Sequence, residues 1–87
     1  MQPLSRDKLL QEPPGPRRIH LALRNRGFDQ HDVAEACNCD NATVSRVVQG
    51  RNRTPLNQRI RRKVVELSGF EEDWLFAHAE PPLQTDA

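Results

Sequence analysis

The chain has 87 residues, 13 of them Lys or Arg and 12 Asp or Glu, with a net charge of +1 and 36% hydrophobic residues; this is one domain with a core of marginal size. It contains no run of about 18 apolar residues for a membrane span and no charged, apolar, small-residue order of a secretory signal, so a cytoplasmic, nucleoid-associated protein with no membrane partner is expected. Cys37 and Cys39 are one residue apart, too close for an unstrained disulfide, and reduced thiols fit that compartment.

Residues 1–15 carry Pro3, Pro13, Pro14 and Gly15 and are expected to be a flexible N-terminal arm. LSRDKLL has the composition for a brief turn of helix, which the PPGP run stops, because proline lacks a donor and restricts its neighbour. A first full helix is predicted over 17–26. Ile19, Ala22, Leu23 and Arg26 follow the i, i+3, i+4, i+7 spacing of one face. Pro16 suits the helix start and Gly27 its left-handed stop.

The next predicted helix opens with Asp29 as N-cap and Asp32 in its first turn. Val33, Ala34 and Cys37 form its inward face, with Ala34 short enough for another helix to cross closely. Asn38 stands where the chain must turn, and asparagine tolerates the left-handed conformation better than any residue but glycine. Cys39 packs beneath that turn as a small hydrophobe. Asp40 caps a further helix, with Thr43 at the reciprocal position. Val44, Val47 and in part Val48 point inward, which leaves Asn41, Ala42, Ser45, Arg46 and Gln49 outward, and Gly50 ends it.

Arg51 to Arg53 make a loop, and Thr54–Pro55 is a cap followed by a first-turn proline. The helix over 55–68 has Leu56, Ile60, Val64 and Leu67 on one stripe and Arg59, Arg62 and Lys63 on the other face. Gly69 stops it, and EEDWLFAHA predicts a short last helix bearing Trp74, Leu75 and Phe76. Residues 80–87, with Pro81 and Pro82, are expected to be a disordered tail. The fold class is therefore all-α, a compact five-helix domain over 16–79.

The near-zero total charge hides segregation. Between Arg46 and Lys63 every charged residue is basic: Arg46, Arg51, Arg53, Arg59, Arg61, Arg62 and Lys63. Such a stretch is the footprint of a polyanion binder; a solvated Arg-rich helix is the plainer reading. An α-helix fits the major groove of B-DNA, and short polar side chains in its first turns reach base edges. Asn41 matches adenine, Arg46 guanine, Ser45 several edges and the Ala42 methyl thymine. Gln30 with its backbone amide, Thr43, Arg51, Asn52, Arg53 and Arg59 are the candidate DNA-backbone contacts. Arg17 and Arg18 read as an exposed pair at a helix start. No His/Cys spacing resembles a zinc site and no catalytic order or phosphate loop appears, so neither a metal, a cofactor nor an enzyme is expected.

The run DVAEACNCDNATVSRVVQG resembles the helix-turn-helix of lambdoid-phage repressor and Cro proteins, and GFEEDWL resembles that family's ending. The likeness spans roughly residues 17–76 and extends to small phage regulators of the Ner type. It implies a lambda-repressor-like DNA-binding domain whose recognition helix reads bases with Asn41, Ala42, Ser45 and Arg46, while Gln30 holds a phosphate. Asn38 stands where the family has a glycine. Asp40 places a carboxylate near the DNA, where it serves its own helix, accepts from cytosine or weakens binding. The implied function is transcriptional regulation, chiefly repression, by a homodimer on a palindromic double-stranded operator, with RNA polymerase or a second protein as a further partner. The last helix with Phe76 and the tail is the expected dimer surface. An antitoxin or other protein-interaction module on the same fold, with autoregulatory DNA binding, is the competing expectation.

Overall fold

The computed structural model describes residues 6–51 and 54–79, which form six helices and no strand. They are α1 (Arg6–Leu10), α2 (Pro16–Asn25), α3 (Gln30–Cys37), α4 (Asn41–Val48), α5 (Pro55–Ser68) and α6 (Glu72–Leu75). The long helix α5 packs against α2, α3, α4 and α6, and α1 joins α2. Residues 80–87, expected as a tail, and the loop residues Asn52 and Arg53 lie outside the described residues.

One helix more is present than the spacing suggested, because Leu9, before the prolines, is used while Leu10 stays exposed. Leu9 is fully buried and belongs to the core with Ile19, Leu23, Ile60 and Val64, so part of the stretch read as an arm is packed into the domain. In α2 the buried residues Ile19, Ala22 and Leu23 keep the expected periodicity.

Arg18 is where the expectation of an exposed pair fails. Arg17 is exposed and pairs with Glu12 at 2.9 Å, but Arg18 is buried. Its Nε donates to the Glu12 carbonyl at 2.9 Å, a terminal nitrogen donates to the same oxygen, and the other donates to the Trp74 carbonyl at 2.7 Å. The guanidinium lies over the Trp74 ring, 4.5 Å from its centroid. A rigid fork of donors can satisfy two separated carbonyls at once, so its burial is compensated.

Helix α5 keeps the predicted stripe at Ile60, Val64 and Leu67 and widens it. Ile60 and Val64 are buried, but the neighbouring buried positions are Arg61 and Ser68. Leu56, in the first turn, is 37% exposed and is not packed on the core. Arg61 lies over the Phe76 ring at 4.6 Å and pairs with Glu72 at 3.4 Å. Ser68 serves the helix end: its hydroxyl donates to the Val65 carbonyl and accepts from the Phe70 amide.

The aromatic residues near α6 also turn inward. Phe70 and Phe76 are buried, Leu75 is fully buried, and the half-buried Trp74 stacks on Phe70 at 4.7 Å. The aromatic cluster expected to be exposed is therefore mostly buried, with Arg18 over the Trp74 ring and Arg61 over the Phe76 ring. Past α6 the chain closes on α4. His78 Nε2 donates to the Val48 carbonyl at 2.8 Å, and since a carbonyl only accepts, that nitrogen carries the proton. Gly50, at φ 114°, leaves room for this approach: a Cβ there would stand 3.2 Å from Ala79 Cα.

Candidate nucleic-acid interface

Helices α3 and α4, eight residues each, are joined by Asn38, Cys39 and Asp40. Asn38 adopts φ 55°, ψ 49°, the left-handed conformation that this side chain tolerates. The turn closes by amides of Asn38 and Cys39 donating to the carbonyls of Glu35 and Ala34. Arg59 Nη2 donates to the Cys37 carbonyl at 3.3 Å. That places a cation at the negative end of α3, where it complements the dipole. Cys37 is buried and Cys39 half-buried, both free thiols, and burial pushes the Cys39 thiol up from its ordinary value.

Both helix starts are capped by aspartate. Asp29 Oδ1 accepts from the Asp32 amide at 3.1 Å while Asp32 Oδ2 accepts from the Asp29 amide at 2.8 Å. This reciprocal box satisfies two orphan donors. The Asp32 amide is the main reason that the Asp29 carboxyl titrates below the usual range. At α4, Asp40 Oδ1 accepts from the Thr43 hydroxyl and from its amide at 2.8 Å, and these two bonds, the hydroxyl first, lower its pKa. Of the three roles open to Asp40, the one the geometry displays is service to its own helix. The Thr43 hydroxyl gives its single proton to Asp40, which leaves it no donor for a phosphate.

The two faces of α4 separate cleanly. Val44, Val47 and Val48 are 0–1% exposed, whereas Asn41, Ala42, Arg46 and Gln49 are exposed and Ser45 is half-buried. Gln49 Nε2 donates to Ser45 Oγ at 3.4 Å, one turn back. Gln30 Nε2 donates to the Asn41 carbonyl at 2.9 Å, so the first residue of α3 is tied to the first residue of α4. Asp29 does not use the Gln30 backbone amide, whose helical position leaves it without an intrahelical acceptor.

Of the other sequence-derived contact residues, Arg51 is exposed, its amide bonded to the Arg46 carbonyl and its own carbonyl accepting from Asn57. Arg59 belongs to the other end of α3 from Gln30, so the two are not brought together. The structure adds residues that the pattern missed. His20 and Arg24 of α2 line an open groove of about 510 Å³ with Asp29, Gln30, His31 and Asn41. The only sequence signal was that both lie off the Ile19–Leu23 face of α2. No group of three His, Cys, Asp or Glu side chains suited to a metal exists among the described residues, and no described helix is long and apolar enough to cross a membrane. Compared with known protein families, curated proteins and solved structures, the chain finds no match.

Proposed function

We propose that this protein is a sequence-specific double-stranded DNA-binding transcriptional regulator, a repressor of the lambdoid repressor/Cro type. In this reading α3, the Asn38 turn and α4 act as a helix-turn-helix, and α4 enters the major groove. The observation that carries it is the division of α4: three valines buried, with Asn41, Ala42 and Arg46 exposed together on the opposite face. An ordinary amphipathic surface helix offers the same division, but here the exposed residues have the donor and acceptor sets that pair with adenine and guanine edges. The Gln30 backbone amide at the start of α3, which the Asp29 cap leaves unused, is available to a phosphate, and the exposed Arg46, Arg51, Arg59 and Arg62 supply the sequence-independent attraction.

Two copies on a two-fold operator would set their α4 helices about 34 Å apart, one helical turn of DNA. Bound so, the domain would act through occupancy, by excluding or touching RNA polymerase. Selection from random duplexes followed by footprinting tests the proposal. A recovered palindromic motif with two protected major-groove segments is the expected result. Binding that shows no sequence preference, or none at all at low salt, overturns it.

A further inference from the structure

The groove between α2 and the starts of α3 and α4 has not been given a role, and its lining is unlike a solvated crease. Three elements meet there. Arg24, in the last turn of α2, is exposed and has no ion-pair partner among the described residues. The Gln30 side chain is held in place by the Asn41 carbonyl through one of its two amide protons, so the other proton remains available. His20 and His31 complete the wall, His31 within 3.1 Å of Glu35. The volume, about 510 Å³, is open to solvent on one side and holds a phosphodiester group with room to spare.

We infer that this groove seats one DNA-backbone phosphate beside the bases read by α4, with Arg24 as its guanidinium. The inference rests on the DNA-binding reading above and adds a residue to it. The Asp29 carboxylate stands on the same wall, but the bond it accepts from the Asp32 amide turns it towards its own helix. With Asp29 ionised, Arg24 is the group that keeps the groove from repelling an anion. The seat therefore depends on the balance of these two charges, and changing either one moves affinity in a known direction.

The test measures affinity of the full chain for a duplex across salt concentrations. Log K falls with log salt by about 0.9 for each phosphate neutralised. Arg24→Ala is expected to reduce that slope by about one, so its affinity falls about 3.5-fold less than the wild type's between roughly 50 and 200 mM salt. The loss should be the same for every duplex sequence. Asp29→Asn keeps a good N-cap acceptor and is expected to tighten binding, a gain that loss of fold cannot imitate. A wild-type chain that binds no duplex overturns the DNA reading itself. A wild-type chain that binds, with the slope unchanged in Arg24→Ala and no gain in Asp29→Asn, overturns the seat and leaves the DNA reading standing. Inorganic phosphate alone provides the last arm: if it shifts the Gln30 amide resonance while duplex affinity ignores Arg24, the groove takes free phosphate and the assignment to DNA is overturned.

Discussion

Replacing Arg18 by alanine removes a side chain that ties the segment before α2 to α6. Its guanidinium donates to the carbonyls of Glu12 and Trp74, 6 and 56 residues away along the chain, and covers the Trp74 ring. Hydrogen bonds to a charged partner contribute about 1.5–3 kcal/mol each, and a desolvated cation–π contact adds up to about 2 kcal/mol. Against these stands the desolvation of a buried cation, several kcal/mol. Arg18→Ala recovers part of that desolvation but leaves two carbonyls without their donors, so the net loss should be about 2–4 kcal/mol. Domains of this size shift by roughly 4–8 °C per kcal/mol, so the midpoint should fall by about 8–32 °C. Thermal unfolding followed by circular dichroism reads the loss, and Trp74, the only tryptophan, reports on α6 by its fluorescence. Arg18→Lys keeps the charge but not the fork, and should recover less than half. A midpoint within about 2 °C of wild type for Arg18→Ala, or full recovery in Arg18→Lys, refutes the reasoning.

Three further outcomes are expected. Arg46→Ala should cost about 1–3 kcal/mol on the preferred operator and relax one base position; an equal loss on every sequence would assign Arg46 to phosphate instead. Val44→Asp places an unpaired carboxylate at a position with no solvent exposure, and an unchanged cooperative melt would show that α4 is not seated on the core. The Asp29 and Asp40 carboxyls titrate below their ordinary value of 3.8. Their cap stabilisation is therefore complete above that value and disappears as pH falls through the lower folded values. Replacing both by asparagine, an equally good cap, should flatten the acid limb of a urea-midpoint profile; an acid limb as steep as the wild type's locates the titration elsewhere.

What the sequence announced about this fold is what local chemistry determines. The Asp29 and Asp40 caps, the left-handed Asn38 and the valine face of α4 each depend on residues within a turn or two, and all are found as expected. What it hid depends on contacts between distant segments. Arg18 and Arg61 look like surface charges in any periodic reading, and their burial depends on distant partners: the Glu12 and Trp74 carbonyls and the Trp74 ring for Arg18, Glu72 and the Phe76 ring for Arg61. The same contacts remove the aromatic patch that looked free for a partner. Leu9 was obscured by the prolines that follow it, although those prolines end α1 without preventing its single buried contact with the core. The groove at Arg24 was out of reach for another reason. It exists only where α2 passes the starts of α3 and α4, and no spacing within α2 encodes that crossing.

If α4 reads DNA as proposed, the arrangement around it explains how the domain holds that surface steady. An eight-residue helix is about 12 Å long, close to the width of the DNA major groove, about 12 Å. A tilt or roll of such a helix would move side chains at both ends out of register with the bases. Three constraints oppose that movement here. The valines fix the roll, Gln30 holds the first residue through its carbonyl, and His78 holds the last through the Val48 carbonyl. Each tether comes from a different part of the chain, and each binds backbone, so the exposed side chains are left unencumbered between them. Preorganisation of this kind lowers the ordering cost of association. On the proposed reading, the residues that aim Asn41, Ala42 and Arg46 are separate from the residues that would meet the operator.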